Sequence, residues 1–267
     1  MRPLIVGILN VTPDSFSDGG RFAALDAAVA AAHTMVEDGA DVVDIGGEST
    51  RPGAEPVGAE DEWARVGPVL EALRGLSVPL SVDTQKASVA ARAARAGARW
   101  LNDVGGLQDD EMAAVSADFE DVVVMHMRGT PQTMASLTAY ADLHAEVSAH
   151  LARGLERSRA RRTWVDPGIG FAKTPAQSLE VLGQLRRYAG LGAPLYVGAS
   201  RKRFIAEVCP GRGTGDRLAG SLAAVSAGLA AGAAAFRVHD VRPTADFLAV
   251  SAAIARAGAL ADARRPS

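Results

Sequence analysis

The most constraining feature of the chain is a regular alternation of short apolar runs with Ala-rich stretches of helical character. The apolar runs predict eight strands, at residues 4–9, 42–45, 79–82, 99–101, 122–125, 163–165, 195–198 and 235–238. Helices are predicted near residues 24–38, 60–74, 86–96, 110–117, 136–157, 175–188, 216–231 and 243–258. Strands that alternate with helices favour a parallel sheet with crossover helices. Eight repeats predict an α/β fold, a single (β/α)8 TIM barrel, with a doubly wound open sheet as the alternative.

Composition narrows the class of protein. No linker or low-complexity tract divides the chain, so we predict one domain over residues 1–267, with the barrel at about 3–258 and a short tail at 259–267. A formal net charge of -3 argues against a nucleic-acid-binding protein. No apolar run is long enough for a membrane span, and no signal-peptide pattern is present. Since Cys209 is the single cysteine, a disulfide framework is excluded, and we expect a cytoplasmic protein.

Polar residues follow the predicted strands at their C-terminal ends. Asn10 and a polar loop follow the first strand, and the other seven ends carry "DIGGESTRPGA", "SVDTQK", "LNDVGG", "MHMRG", "VDPGIGFAK", "GASRKR" and "RVHD". No comparable set is predicted at the N-terminal ends. In a (β/α)8 barrel the C-terminal ends meet at one rim, where active sites lie. We therefore expect these polar groups to converge on one site.

One group among these residues contains two carboxylates, a carboxamide and an ammonium, from Asp83, Asp166, Asn102 and Lys202. A carboxylate accepts two N–H bonds from an amidine-like edge, and a lysine donates to a ring carbonyl or nitrogen. This group therefore suits a flat heterocycle.

A second group is cationic and rich in donors, and consists of Asn10, Arg51, Arg237 and His239. Arginine presents a planar fork to phosphate oxygens, and an asparagine oxygen can bind a hard cation. The two groups together predict a site for a heterocycle joined to a phosphate or diphosphate.

Eight motifs, in order and over nearly the whole chain, resemble the dihydropteroate synthase family. They are "GILNVTPDSFSDGG", "DIGGESTRPGA", "SVDT", "NDV", "MHMRGTPQTM", "DPGIGFAK", "GASRKR" and "RVHD". The resemblance implies a pterin-binding (β/α)8 barrel of folate biosynthesis, found in bacterial cytoplasm and typically a homodimer. It also implies two small-molecule substrates, 7,8-dihydropterin-6-ylmethyl diphosphate and 4-aminobenzoate, which condense to 7,8-dihydropteroate and diphosphate with Mg²⁺ as cofactor.

The resemblance also implies roles for individual residues. Asn10 is expected to bind Mg²⁺ and to face the diphosphate. The pterin pocket is expected to contain Asp83, Asn102, Asp166 and Lys202. Substrate contacts are further expected from Thr50, Arg51, Met127, Phe171, Ser200, Arg201, Arg237 and His239. Some relatives have serine where this chain has Arg203, which leaves the contact to the aminobenzoate carboxylate open.

The chemistry expected is a Mg-assisted, dissociative displacement of diphosphate by an arylamine. Residues 12–20 are expected to close over the diphosphate as a flap, with the loop 49–57 as its partner, because closure excludes water from a reactive cation. Catalytic roles are expected for Asp14, Arg51, Asp83 and Lys202.

Three alternatives remain open at this point. The first is a pterin-dependent methyltransferase domain on the same scaffold, although it has no use for "NVTPDSFSDGG" and "SRK". The second is a Schiff-base aldolase with Lys202 as nucleophile, and the third is a catalytically silent pterin-binding paralogue.

Several polar residues outside this set are predicted to be structural. Asp44 and Glu48 are expected to order the second loop by hydrogen bonds. Asp103 is expected to hold Asn102 in place without contacting the substrate itself. Surface positions are predicted for Lys86, Lys173, His33, His144 and His150.

Overall fold

Eight parallel strands form a single sheet that closes on itself. The structure, a computed structural model, describes residues 2–12 and 20–263. The strands are β1 Leu4–Asn10, β2 Val42–Gly46, β3 Leu80–Asp83, β4 Trp100–Asp103, β5 Asp121–Met125, β6 Arg162–Asp166, β7 Tyr196–Val197 and β8 Ala235–Val238. Their order is β6-β5-β4-β3-β2-β1-β8-β7, and a parallel bridge between Val165 and Leu195 joins β6 to the start of β7. The predicted (β/α)8 barrel is confirmed, and the open doubly wound sheet is excluded.

Helices connect the strands on the outside of the barrel. Within the described residues they are α1 Gly20–Glu37, α2 Ala59–Ala72, α3 Ala87–Ala96, α4 Asp110–Val115, α5 Leu143–Arg157, α6 Pro175–Gly183, α7 Arg186–Ala189, α8 Arg203–Val208, α9 Leu218–Ala230 and α10 Val241–Ala263. None of them is long and apolar enough to cross a lipid bilayer.

The sequence prediction misplaced some helix boundaries. Helix α5 begins at Leu143 and not near residue 136, because Asp142 caps it by accepting a hydrogen bond from the Ala145 N–H at 3.0 Å. The helix predicted at 175–188 is divided into α6 and α7, and α10 continues past residue 258. The short helix α8 between β7 and α9 was not predicted as a separate element.

Alternate residues of each strand face opposite sides of the sheet. Ile5, Val43 and Leu101 belong to the large apolar cluster that includes helix residues. Val6, Val42, Trp100, Val123, Trp164, Tyr196 and Ala235 form a separate cluster inside the barrel. Since strand side chains alternate with a period of two, this inner face continues to Asn10, Asp44 and Asn102 further along the same strands.

The N-terminal half of the barrel interior is filled by aromatic side chains. The rings of Trp100 and Trp164 lie 5.0 Å apart, and Trp164 Nε1 donates to the buried Asp121 carboxylate at 2.7 Å. Arg162 also pairs with Asp121, so this end has a polar cluster of its own, contrary to the expectation from the sequence. This cluster is satisfied internally, which leaves the C-terminal rim as the place for a ligand.

Candidate active site

The C-terminal ends of four neighbouring strands bring polar residues to one level of the barrel. Parallel register pairs Asn10 with Gly46, Gly46 with Asp83, and Asp83 with Asn102. Asp83 and Asn102 are buried, and Asn10 is partly exposed. Three of the predicted site residues therefore form a continuous row on the inner wall.

Arg237 of β8 links this row to the opposite side of the mouth. Its Nε donates to Asp44 Oδ2 at 2.6 Å, and its Nη2 donates to Asp83 Oδ2 at 2.7 Å. Asn102 Nδ2 also donates to Asp44 Oδ2, at 3.3 Å. Asp44 thus orients two predicted site residues from inside the barrel, so its expected role in ordering the second loop is wrong.

Two acceptors in this network have no hydrogen-bond partner within the described part of the chain. They are the Oδ1 atoms of Asp44 and Asp83, and both are buried. An unsatisfied buried acceptor is costly, so a site of this kind is suited to a ligand that brings N–H donors.

The charges of the network perturb one another. Burial raises the pKa of Asp83 to about 7, although the Arg237 guanidinium opposes this rise and the Asp44 carboxyl adds to it. Burial lowers the pKa of Arg237, but Asp44 and Asp83 raise it by more, so Arg237 stays charged. The arrangement places one permanent cation between two carboxyl groups, of which Asp83 can take up a proton near neutral pH.

Asp166 and Lys202 form the other side of the mouth. The Gly168 N–H donates to Asp166 Oδ1 at 2.7 Å, and burial raises the pKa of Asp166. Lys202 Nζ lies 4.0 Å from the centre of the Phe171 ring, a cation–π contact. Burial lowers the pKa of Lys202 to about 8, against the opposing charge of Asp166.

Two glycines keep space open between these groups. A Cβ at Gly198 would lie 3.3 Å from Asp166 Oδ2 and 3.9 Å from the Arg237 Cβ. A Cβ at Gly46 would lie 3.6 Å from Asn10 Oδ1 and 3.7 Å from Asp83 Oδ2. The absence of a side chain at both positions leaves room for a flat group surrounded by polar atoms.

Two of the predicted substrate contacts belong to a compact apolar cluster. Met127 and Phe171 are buried in a group that also contains Val104, Met125 and Met134. This cluster lies beside Lys202 through the Phe171 ring. The site is therefore bounded by polar groups on one side and by thioether and aromatic groups on another.

Ser200, Arg201 and His239 form a second group near β7 and β8. The Ser200 hydroxyl lies 3.1 Å from His239 Nδ1, and Arg201 makes two hydrogen bonds with the Asp240 carboxylate. Burial, together with the nearby Arg237 charge, lowers the pKa of His239 to about 3. His239 is therefore neutral at neutral pH and offers a hydrogen bond, in contrast to the cationic group expected from the sequence.

The loop after β2 carries Thr50, which is partly exposed, and Arg51, which is exposed. Glu48 accepts a hydrogen bond from the Val57 N–H at 2.8 Å and closes the loop, as predicted. Lys86 joins Glu48 to the fully buried Glu62 with contacts of 2.7 Å and 2.6 Å. Lys86 is therefore an anchor of this loop, and its side chain, 24% exposed, is only partly at the predicted surface.

Asn10 is the predicted magnesium ligand, and its surroundings fit that role. Its Oδ1 and Asp83 Oδ2 lie on either side of the space above Gly46. Among the described residues no three His, Cys, Asp or Glu side chains come together as a metal cluster. Mg²⁺ is commonly bound through one or two protein oxygens together with substrate phosphates, and Asn10 is suited to this mode.

Other predictions lie outside the site or outside the described residues. Asp14 falls in the undescribed segment 13–19, so its predicted role stays a prediction. His144 and His150 are buried and bonded to Tyr188 and the Met125 carbonyl, and Lys173 is also buried. The surface positions predicted for these three residues are wrong. Asp103 binds the N–H groups of Gly105 and Leu107 instead of supporting Asn102.

Comparison with known proteins agrees with this geometry. A family model described as "Pterin binding enzyme" matches residues 6–239. The dihydropteroate synthase of Synechocystis sp. is 43% identical over 263 residues, which cover 96% of this chain and 91% of the relative.

Solved structures give the same result. The Xanthomonas albilineans dihydropteroate synthase with 4-aminobenzoic acid superposes with a TM-score of 0.88 at 43% identity, covering 95% of this chain and 93% of the other. The same bacterium's enzyme in complex with 7,8-dihydropteroate gives a TM-score of 0.84 at 40% identity, covering 95% and 94%. Because the family model matches most of this chain and the relatives cover nearly all of it, the chain belongs to the pterin-binding enzymes, in the dihydropteroate synthase family.

Proposed function

We propose that this enzyme condenses 7,8-dihydropterin-6-ylmethyl diphosphate with 4-aminobenzoate to give 7,8-dihydropteroate and diphosphate. The observation that carries the proposal is the convergence of Asp83, Asn102, Asp166, Lys202 and Arg237 around a space that two glycines leave open. The relatives crystallised with 4-aminobenzoic acid and with 7,8-dihydropteroate support this choice of substrate and product.

The carboxyl groups are assigned to the pterin. Asp83 has a buried oxygen without a partner in the described residues, which suits an N–H donor of the ring. Asp166 is oriented by the Gly168 N–H and supplies a second acceptor. Lys202 provides donors for the ring carbonyl or nitrogen, and its contact with Phe171 restricts its side chain.

The diphosphate is assigned to the donor-rich group that contains Arg51, His239 and Asn10. Arg51 lies close enough for its charge to affect the pKa of Lys202, so its loop is near the mouth. His239 is neutral, and it donates a hydrogen bond without adding charge. Asn10 would bind Mg²⁺, which when bound supplies positive charge to the leaving diphosphate oxygens.

The reaction breaks the C–O bond between the pterin methylene carbon and the diphosphate, and it forms a C–N bond to the arylamine. The diphosphate keeps the electron pair of the broken bond, and the amine loses one proton to solvent. The electron-rich dihydropterin delocalises the positive charge at the methylene, so the path is dissociative. The carboxylates of Asp83 and Asp166 stabilise that cation, and the protein acts by positioning and electrostatics.

Three further features are part of the proposal. Asp14 and the segment 12–20 close the site and keep water from the cation. Arg201 and Ser200 lie near the carboxylate of the bound 4-aminobenzoate, with Met127 and Phe171 against its ring. A homodimeric state and a cytoplasmic location stay predictions.

The test is release of diphosphate from the pterin substrate, measured with and without 4-aminobenzoate. We expect release to depend on the amine and to yield 7,8-dihydropteroate in equal amount. Pterin binding without turnover would instead identify a catalytically silent paralogue. Trapping of a carbonyl substrate on Lys202 by borohydride would identify a Schiff-base aldolase, and either result would overturn the proposal.

A further inference from the structure

We propose that Lys173 is a positioning residue for the pterin site, because its buried amine binds the loop that follows Asp166 and carries Phe171. The inference rests on the proposed pterin site and adds a residue to it. Lys173 belongs to neither substrate group, and it lies behind the loop after β6 with only 8% of its surface exposed.

The loop that follows Asp166 has an unusual backbone. Gly168, Gly170 and Ala172 all have positive φ angles, of 69°, 79° and 46°. For Ala172 this left-handed conformation is unfavourable by about 1–2 kcal/mol. Such a conformation persists only where surrounding contacts determine it. The loop therefore needs bonds that hold it in shape.

Lys173 supplies three of those bonds from one atom. Its Nζ lies 2.8 Å from His126 Nδ1, 3.1 Å from the Gly168 carbonyl oxygen and 3.2 Å from the Phe171 carbonyl oxygen. In its ammonium form Lys173 has three donors, and these contacts use all three within the protein. The side chain thus joins the start and the end of the loop to the residue that follows β5.

Both ends of the loop act directly on the site. Gly168 accepts from Lys173 through its carbonyl, and its N–H donates to Asp166 Oδ1 at 2.7 Å. Phe171 also accepts from Lys173, and its ring contacts Lys202 Nζ at 4.0 Å. One buried amine is therefore bonded both to the residue that orients the Asp166 carboxylate and to the residue whose ring contacts the Lys202 ammonium.

Burial lowers the pKa of Lys173 to about 7, although the Asp166 charge opposes this fall. Burial together with the Lys173 charge lowers the pKa of His126 to about 2, so the His126 ring is neutral and its Nδ1 can accept from Lys173 Nζ. The His126 N–H is also bonded to the Asp166 carbonyl at 3.0 Å. His126, the residue after β5, therefore lies beside Asp166 of β6, and Lys173 is bonded directly to His126 and through Gly168 to Asp166.

A purely structural role makes different predictions from a positioning role. If Lys173 only stabilised the fold, its loss would lower stability and leave pterin affinity unchanged in molecules that remain folded. If it positions Asp166, its loss weakens pterin binding, and the loss is not additive with a change at Asp166 itself.

The test uses calorimetry with the pterin diphosphate substrate in the absence of 4-aminobenzoate. For Lys173→Met we expect the dissociation constant to rise at least about tenfold, as the loss of a charged hydrogen-bond donor implies. The double variant Lys173→Met/Asp166→Asn is expected to bind within about threefold of Asp166→Asn alone. Tyr188→Phe is the matched control, since it removes a buried polar contact with His144 instead of one with the loop.

Two results would overturn the inference. One is a folded Lys173→Met protein whose pterin affinity equals that of the unchanged protein. The other is a double variant whose dissociation constant rises by the product of the two single-variant factors. If Lys173→Met does not fold, Lys173→Arg replaces it, because a planar guanidinium keeps the charge but cannot make the same three contacts. Unchanged affinity in Lys173→Arg would then contradict the inference. Failure of the unchanged protein to bind the pterin would instead contradict the proposed function.

Discussion

Replacement of Arg237 by methionine removes the one guanidinium that joins Asp44 to Asp83. Both hydrogen bonds are short, at 2.6 Å and 2.7 Å, and the Arg237 side chain is only 19% exposed. Asp44 is fully buried, so water cannot replace the lost donor there. Methionine has a similar length and fills the same space, so the change tests the charge more than the packing.

The expected loss follows from the cost of an uncompensated buried charge. Removing one partner of a buried ion pair costs about 3–5 kcal/mol of unfolding free energy. Arg237 lowers the pKa of Asp83, so its removal raises that pKa above the present value of about 7. A carboxyl group whose pKa is higher in the folded than in the unfolded protein stabilises the fold at low pH. That stabilisation is lost as the pH rises through the folded pKa. Above pH 7 the unchanged protein no longer loses stability through Asp83, whereas the variant, with its higher Asp83 pKa, continues to do so. The difference in unfolding free energy between the unchanged protein and Arg237→Met should therefore widen above pH 7.

Urea unfolding between about pH 6 and 9 measures this deficit. Arg162→Met is the control, since Arg162 also pairs with a buried aspartate, at the opposite end of the barrel and with a side chain that is 56% exposed. We expect that control to lose about 1 kcal/mol and to keep full pterin affinity. Arg237→Met should lose pterin affinity as well as stability. A deficit below about 1 kcal/mol that does not change with pH would refute the assigned network.

Three further predictions concern the ammonium, the loop after β6 and the flap. Burial lowers the pKa of Lys202 to about 8, so the unchanged protein should lose its advantage in pterin affinity over Lys202→Gln as the pH rises through 8. Calorimetry that gives a constant ratio of the two dissociation constants would contradict this. Gly168→Ala would put a Cβ 2.0 Å from the His126 carbonyl oxygen, and we expect it to lower the unfolding free energy in urea by at least about 2 kcal/mol. The control Gly192→Ala also has a positive φ but has open space around it, and it should lower the unfolding free energy by about 1 kcal/mol. Asp14→Ala should keep pterin affinity and lower turnover, and a fall in affinity would show that the flap assignment is wrong.

The barrel and much of its rim could be predicted from local sequence. The strands are short apolar runs, and Asn10, Asp83, Asn102 and Asp166 come at or directly before their C-terminal ends. Parallel strands of a barrel present those ends on the same side, so convergence follows once the fold class is known. The sequence alone therefore identifies most residues of the candidate site, although the roles of these residues toward substrate stay predictions.

Asp44 shows a signal that was present but not used. It lies two residues after Val42 and two before Gly46, so it shares their inward face in β2. A count by twos along the strand would have predicted that Asp44 points into the barrel. Its partner Arg237 is 193 positions away, and only the closed sheet brings the two together.

Lys86 and Lys173 have no comparable signal. Each stands at or just before the start of a predicted helix, where lysine is usually exposed. Lys86 is instead paired with Glu48 of the loop after β2 and Glu62 of α2, and Lys173 with His126 after β5. Local propensity contains no information on whether a loop folds back over its own side chain. Burial of Lys173 and partial burial of Lys86 are decided by long-range contacts.

The order of residues along the chain thus specifies the alternation of strands and helices, the polar strand ends and the motifs of the pterin-binding family, because each depends on neighbours in sequence. Tertiary structure decides which charges meet. Closure of the sheet places Arg237 between Asp44 and Asp83, and folding of one loop buries Lys173 behind Asp166. Burial then changes the pKa values of these groups, and burial is a property of the whole fold that no local stretch of sequence contains.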